Sequence, residues 1–194
     1  MPRAFTAEEA ARIRERLMAA GRESFARRGL RGTSVEELAR AAAISKGAFY
    51  RFFDGKEALL LALLSEHEQQ VHARLEAAVR ADPARGVALL VEESVHAAER
   101  DPLFAVLMSE EGMRVLASLS PAEQQELMER DVRLVRRVTG ALRRAGAAPD
   151  VPERVLLGLL RSLVFAGMHR AEIGEDLLSE TTAWLTDVLR EEKP

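Results

Sequence analysis

Two residue pairs have the spacing of metal ligands on a helix, Glu68 with His72 and His169 with Glu172. Side chains three or four residues apart share a helix face, so each pair could supply two ligands of a metal ion. Such pairs arise often by chance in a chain with 31 acidic residues. The sequence contains no cysteine, no glycine-rich phosphate loop after a strand and no serine nucleophile elbow. We therefore expect that the protein is not an enzyme and has neither a metal nor a cofactor. Of three interpretations of its function, a metal-dependent helical enzyme is the least favoured.

A second group of residues has the chemistry of DNA contact, and it lies in the first 56 residues. This segment has 12 Lys and Arg against 7 Asp and Glu, whereas the remainder has 16 against 24. A basic end on an acidic chain is the asymmetry expected when one end meets phosphate. Hydroxyls at helix starts, a short helix with small residues and nearby cations form the candidate DNA-binding set: Thr33, Ser34, Ser45, Lys46, Gly47, Ala48, Tyr50, Arg51 and Lys56.

Each member of this set has a physical reason to be there. Thr33 or Ser34 can cap one helix, with Glu36 or Glu37 reaching back, and Ser45 can cap the next; exposed N–H groups at those helix starts can also receive phosphate. Gly47 and Ala48 let the helix sit close in the major groove, and Lys46 reaches guanine acceptors. Tyr50 and Lys56 are expected to hold phosphates, which fix the register of a complex without reading sequence.

The elements that must position these residues are all helical. Apolar residues recur at spacings of three and four, and alternating strand patterns are missing. We predict an all-α chain of about nine helices: 7–28, 34–41, 45–51, 55–81, 84–99, 102–117, 121–145, 152–171 and 175–191. The second and third helices are too short to be stable alone, so with the first they form a three-helix unit around a helix-turn-helix. Its predicted inward-facing residues are Ile13, Leu17, Phe25, Val35, Leu38, Ala39, Ala42, Ile44, Phe49 and Phe53.

The run from Gly32 to Leu60, GTSVEELARAAAISKGAFYRFFDGKEALL, strongly resembles the DNA-binding signature of TetR-family repressors. The resemblance covers about residues 10–64; beyond them only helix number and length carry it. It implies an all-helical homodimer with a DNA-binding domain at residues 1–54 and an effector-binding and dimerisation domain at residues 55–194. It also implies repression of genes until a small molecule releases the protein from a palindromic operator.

Two positions depart from the family pattern. Family members commonly have glycine where this chain has Ala43, and if that residue is left-handed, alanine costs about 1 kcal/mol. The position after Arg51 is often His or Tyr, and here it is Phe52, whose ring cannot donate a hydrogen bond to phosphate. One backbone contact to DNA is therefore in question.

The last two long helices are candidates for the dimer interface. The 152–171 helix is apolar nearly all round, which predicts burial on several sides. Its small residues are spaced by four, which permits close approach of a second helix, and the last helix has one apolar stripe. The alternative is that both helices only close the core of the monomer. The predicted interface residues are Gly158, Ser162, Ala166, Leu177, Thr181, Trp184, Leu185 and Val188.

Residues between about 60 and 170 are candidates for binding an unknown small-molecule effector, and the aliphatic composition favours an apolar one. Arg161 shares a face with apolar residues and needs a partner, which is either an acid such as Asp131 or an anionic effector. A lone His67 on an apolar stripe is either a satisfied core group or a ligand contact. The candidate effector-binding residues are His67, Phe104, Leu107, Met108, Met113, Arg161, Phe165 and Met168.

The sequence has neither a signal peptide nor an apolar run long enough for a membrane helix, so we expect a cytoplasmic protein without membrane contact. The predicted function is a DNA-binding transcriptional regulator that acts as a homodimer on an inverted repeat. A ligand-independent architectural or partner-binding protein is the alternative.

Overall fold

A computed structural model of the chain describes residues 5–96 and 101–190. Within those ranges it contains eleven α-helices and no strand, which confirms the all-α prediction. None of these helices is long and apolar enough to cross a membrane. In chain order they are α1 Ala7–Arg28, α2 Val35–Ala41, α3 Lys46–Phe49, α4 Lys56–Ala81, α5 Gly86–Val95, α6 Pro102–Met108, α7 Glu110–Ser118, α8 Pro121–Arg144, α9 Glu153–Met168, α10 Arg170–Ile173 and α11 Glu175–Arg190.

The chain divides into two compact units. The first unit comprises residues 1–68 and 102–118, and the second comprises residues 69–101 together with 119–194. The first half of the long helix α4 belongs to the first unit, and its second half belongs to the second unit. The helices α6 and α7 therefore group with the N-terminal helices, although more than thirty residues of the second unit precede them in sequence.

The first unit has its own apolar core. The predicted inward-facing residues of its N-terminal helices are buried, apart from Val35 and Ile44, which are half-buried and pack against the same core. Leu59, Leu60 and Leu63 of α4 are fully buried in this cluster. The helix α6 contributes Leu103, also fully buried, and packs against α1. The short helices α2 and α3 are thus held by packing, as their length requires.

The second unit is built around α5. Both α9 and α11 pack against this helix, and α8 packs against α9. Val87, Leu90 and Val91 of α5 are each 2% exposed and form the centre of the second core. Burial of α9 is one-sided, contrary to the prediction from its apolar composition: Leu156 is buried, whereas Val155 and Phe165 are each 51% exposed.

Two of the predicted helices are each divided into two in the structure. The predicted helix 102–117 is two helices, because the Ser109 hydroxyl accepts a hydrogen bond from the Gly112 N–H at 3.2 Å and so starts α7. The predicted helix 152–171 ends at Met168 and is followed by the four-residue α10. Residues 97–99 of the predicted fifth helix and residue 191 of the last lie outside the described residues.

Candidate nucleic-acid interface

The start of α2 is fixed by a capping box. The Ser34 hydroxyl accepts from the Glu37 N–H at 3.2 Å, and the Glu37 carboxylate accepts from the Ser34 N–H at 3.1 Å. Of the alternatives left open by the sequence, Ser34 and Glu37 therefore form the box. Arg28, at the end of α1, donates to the same carboxylate at 2.7 Å and so joins the two helices.

Ionisation of Glu37 depends on that arginine. The hydrogen bond from Arg28, followed by those from Ser34, lowers the pKa of Glu37 from 4.5 to about 2. Because the pKa is lower in the folded state, the charged form stabilises the fold above pH 4.5, and this contribution is lost as the pH falls toward 2. The junction of α1 and α2 is therefore fully ion-paired at neutral pH.

Thr33 stands apart from the other candidate DNA-binding residues because its side chain is only 2% exposed. Its hydroxyl donates to the Gly29 carbonyl oxygen at 2.9 Å and shares a hydrogen bond with the Ser24 hydroxyl, also at 2.9 Å. These contacts satisfy the hydroxyl inside the first unit. Thr33 thus holds the turn between α1 and α2 together.

The turn between α2 and α3 contains the predicted backbone strain. Ala43 has φ +57°, and among residues 5–96 and 101–190 no other residue except glycine has a positive φ. An alanine in this region costs about 1 kcal/mol relative to glycine, because its Cβ approaches the following carbonyl oxygen. The neighbouring residue Ala42 is fully buried in the first core, and this packing fixes the turn in which Ala43 is strained.

The helix α3 presents most of the candidate DNA-binding residues to solvent. Ser45 caps it, accepting from the Ala48 N–H at 3.1 Å. As predicted, Phe49 is fully buried, and it anchors the helix to the first core. The remaining candidates around this helix are exposed, apart from the half-buried Ala48: Ser45, Lys46, Gly47, Tyr50 and Arg51.

Lys46 is not a free cation on this surface. Its Nζ donates to Glu36 Oε1 on α2 at 2.5 Å, and both side chains are about half exposed. This hydrogen bond is the largest cause that raises the pKa of Lys46 and lowers the pKa of Glu36. The pair joins the two short helices, and it places a carboxylate beside the cation that we expect to read a base.

The departure at Phe52 has a packing role. Its ring lies 5.8 Å from that of Phe5, and the Arg51 guanidinium lies 4.7 Å from the centre of the Phe5 ring. The aromatic pair and the cation–π contact tie the residues before α1 to the end of α3. Phe52 therefore contributes an apolar contact where a His or Tyr would offer a donor.

Lys56 positions the turn before α2. Its Nζ donates to the carbonyl oxygens of Leu30 at 2.8 Å and Thr33 at 3.0 Å. Glu111 of α7 accepts from the Arg31 N–H in the same turn at 3.1 Å. An ammonium carries three donors, so two hydrogen bonds of Lys56 leave one proton for a phosphate. Sequence reasoning missed Arg28 and Glu111, which lie 9 and 80 residues from their partners.

The predicted interface residues lie on α9 and α11 of the second unit. Gly158 is exposed, and a Cβ added there would meet nothing within 4 Å. Trp184 is 64% exposed and Leu177 57% exposed. Thr181, Val188 and Ser162 are also exposed, whereas Ala166 and Leu185 are half-buried against the second core.

The candidate effector-binding residues fall into both units. Five belong to the first unit, namely His67, Phe104, Leu107, Met108 and Met113, and three to the second, namely Arg161, Phe165 and Met168. Arg161 Nε and Nη2 both donate to Asp131 Oδ2, at 3.1 and 2.6 Å. This confirms the ion-pair interpretation of Arg161.

Part of the chain matches a known family model. Residues 17–63 match the model described as bacterial regulatory proteins, tetR family. The HTH-type transcriptional repressor NemR of Escherichia coli K12 is 40% identical over 62 residues, which are 32% of this chain and 31% of NemR. Two of the curated relatives match over 18% and 31% of their own length, so those matches concern a segment rather than a whole protein.

Longer similarities extend through both units. The HTH-type transcriptional regulator UidR of E. coli K12 is 27% identical over 182 residues, covering 90% of this chain and 88% of UidR. The crystal structure of a TetR-family transcriptional regulator from Pectobacterium atrosepticum superimposes with a TM-score of 0.69 at 27% identity. That alignment covers 98% of this chain and 100% of the other.

Proposed function

This chain belongs to the TetR family of transcriptional regulators, and we propose that it represses transcription in the cytoplasm by binding an inverted-repeat operator as a homodimer. The observation that carries the proposal is α3, which is anchored by the buried Phe49 and turns Lys46, Gly47 and Tyr50 outward. A short helix held this way is the recognition element of a helix-turn-helix. Phosphate contacts from Tyr50, Arg51 and Lys56 would set its register on the duplex.

Exposed apolar residues on α9 and α11 support a homodimer. Both helices pack on α5, yet five of their large apolar side chains are 43% to 64% exposed: Val155, Phe165, Leu177, Trp184 and Val188. A second copy of the same surface would remove these side chains from water and form a two-fold interface. A dimer with two-fold symmetry in turn requires a DNA site with two-fold symmetry.

Selection of bound duplexes from a random pool tests this proposal. We expect an inverted repeat whose half-sites lie about 10 base pairs apart, or a multiple of that, because each recognition helix enters the major groove on the same side of the duplex. Footprinting should protect both half-sites at once. Binding of a monomer to one asymmetric half-site would contradict the proposal, and protection without any sequence preference would favour the architectural alternative.

We further propose that a small apolar effector releases the protein from DNA. Support comes from the size of the segment after the DNA-binding domain, because residues 55–194 exceed what two interface helices require. A ligand weakens DNA binding only if it binds the released conformation more tightly, and such coupling weakens affinity by about 5–150-fold. The selected operator should therefore lose affinity with one member of a metabolite panel; a panel that changes neither operator affinity nor thermal stability would count against an effector.

The Glu36–Lys46 pair leads to a prediction about DNA affinity. We expect Glu36→Gln to tighten binding to every duplex by about 2–5-fold at low salt, because it frees Lys46 and removes a negative charge near phosphate.

Lys46→Ala should instead relax the preference at one base position. Lys56→Ala should weaken all sequences alike and reduce the salt dependence by about one unit of slope.

Binding isotherms at several salt concentrations, on the selected operator and on a scrambled duplex, measure these effects. Glu110→Gln is the matched control, because Glu110 is an exposed acid of the same unit outside the helix-turn-helix. If Lys46→Ala leaves the selected motif unchanged, Lys46 does not read a base. If Glu36→Gln changes affinity no more than Glu110→Gln does, the pair has no part in DNA binding.

A further inference from the structure

A cleft of about 580 Å³ lies within the second unit, between the end of α4 and the C-terminal half of α8. Its apolar surface comes from Pro83, in the turn that follows α4, and from Ala141 and Ala145 at the end of α8. A volume of this size is in the range of small-molecule sites, which are mostly apolar with a few convergent polar groups. The cleft therefore has the space and the walls for an organic ligand.

Most of the charged side chains that line this cleft are positive. Four arginines line it, namely Arg80, Arg136, Arg137 and Arg144, against the single carboxylate of Glu76. Four guanidinium groups around one cleft raise its positive potential and so attract anions.

Two of these arginines already have acidic partners. Arg137 Nε donates to Glu76 Oε1 at 2.5 Å, and Arg136 Nε lies 3.7 Å from Glu153. Arg80 and Arg144 have no carboxylate partner among residues 5–96 and 101–190. The cleft therefore has two guanidinium groups available to a bound anion, and two more held by carboxylates.

Helix ends account for only part of this cluster. Arg80 and Arg144 lie in the last turns of α4 and α8, where a cation interacts favourably with the helix dipole. Arg136 and Arg137 lie about two turns before the end of α8, beyond the reach of that effect. The dipoles also do not explain why the cluster surrounds a cleft with apolar walls.

Gly140 keeps the cleft open. A Cβ added there would meet only the Arg144 guanidinium, at 3.8 Å. A larger side chain would fill the space beside Arg144 without striking the backbone. This position therefore offers a way to close the cleft without disturbing the core.

We propose that this cleft binds a small phosphate-bearing ligand with an apolar group, the phosphate on Arg80 and Arg144 and the apolar group against Pro83, Ala141 and Ala145. A guanidinium group can donate two parallel hydrogen bonds to two phosphate oxygens. This geometry favours phosphate over an anion without two such oxygens, such as chloride. The proposal concerns binding alone and does not depend on whether the protein represses transcription.

Calorimetric titration of the full chain with phenyl phosphate, in the absence of DNA, tests the proposal. We expect a dissociation constant of about 1 mM or lower and binding at least about tenfold weaker for inorganic phosphate, which lacks the apolar group. The double substitution Arg80→Gln and Arg144→Gln should weaken phenyl phosphate at least about tenfold, and Gly140→Leu should abolish its binding. Arg154→Gln, an exposed arginine of the same unit outside the cleft, is the matched control and should bind as the unmodified protein does.

Equal affinity for phenyl phosphate in the cleft variants and in Arg154→Gln would overturn the proposal. So would the absence of binding at a phenyl phosphate concentration about ten times the expected dissociation constant. Vesicles of phosphatidic acid in phosphatidylcholine and a scrambled duplex distinguish other sources of phosphate. Binding to either of these that is lost in the Arg80→Gln and Arg144→Gln double variant, without binding to phenyl phosphate, would replace the small ligand by a membrane or by DNA. Because no operator is involved, failure here leaves the proposed repressor function untouched.

Discussion

The variant Gly158→Leu should be a folded monomer that has lost most of its affinity for the operator. Gly158 is exposed on α9, and a side chain there meets nothing within 4 Å of its Cβ in one chain. Replacing a helical glycine by leucine even favours the monomer, by somewhat under 1 kcal/mol. In a two-fold interface, however, the added volume is present twice, and overpacking costs about 1–3 kcal/mol per site.

The expected consequence is a dimer dissociation constant raised by about 30-fold or more, with operator affinity falling in parallel. Sedimentation at several concentrations measures the first and titration of the selected operator the second. Gly140→Leu, the same change on α8, is the control and should stay dimeric. If Gly158→Leu remains a dimer of unchanged stability, then α9 does not form the interface at this position.

The helix-turn-helix could be predicted from the sequence because its cues are local. Capping residues, the three-and-four spacing of apolar residues and the short interval between two helices all lie within about thirty residues. Phe49 shows this directly: its spacing from other apolar residues predicted burial, and it is fully buried. The positive φ of Ala43, +57°, could be anticipated from the family resemblance, because family members commonly have glycine at this position.

Contacts between distant segments could not be predicted in the same way. The sequence predicts that Lys56 contacts phosphate, but it gives no indication that the same ammonium donates to carbonyl oxygens 23 and 26 residues earlier. The sequence likewise gave no sign that Glu36 would reach Lys46, because that contact depends on the angle between α2 and α3. Side-chain type limits what a residue can bind, whereas the fold decides which partner lies within reach.

Glycines on α9 show the same limit more sharply. Gly158 and Gly167 lie nine residues apart on α9 and so on opposite faces of the helix, but the sequence does not indicate which element packs against Gly167. In the structure one faces open space, whereas the other lies against the backbone of α5. Their roles therefore differ: Gly167 lets α9 approach α5, whereas Gly158 leaves an open surface on the same helix.

Gly167→Ala should be strongly destabilising. Gly167 is buried on the face of α9 that packs on α5, and an added Cβ would lie 1.9 Å from the carbonyl oxygen of Val95 and 2.8 Å from its carbonyl carbon. No rotamer relieves this contact, because it involves two backbones, so α9 must move away from α5. Separating these helices disturbs the core around Leu90, Val91 and Leu163. We expect a loss of about 2–4 kcal/mol in the free energy of unfolding, after allowing for the better helix propensity of alanine.

Gly140→Ala on α8 is the matched control, because it makes the same chemical change outside the proposed interface, where the Cβ meets only the Arg144 guanidinium, at 3.8 Å. It should raise the free energy of unfolding by up to about 1 kcal/mol through helix propensity alone. For a chain of this size the two variants should differ in melting temperature by about 4–20 °C, with Gly167→Ala lower. Urea denaturation of both at one protein concentration gives the free energies directly. Equal stability of the two variants would mean that α9 and α5 do not approach as closely as the Val95 carbonyl requires.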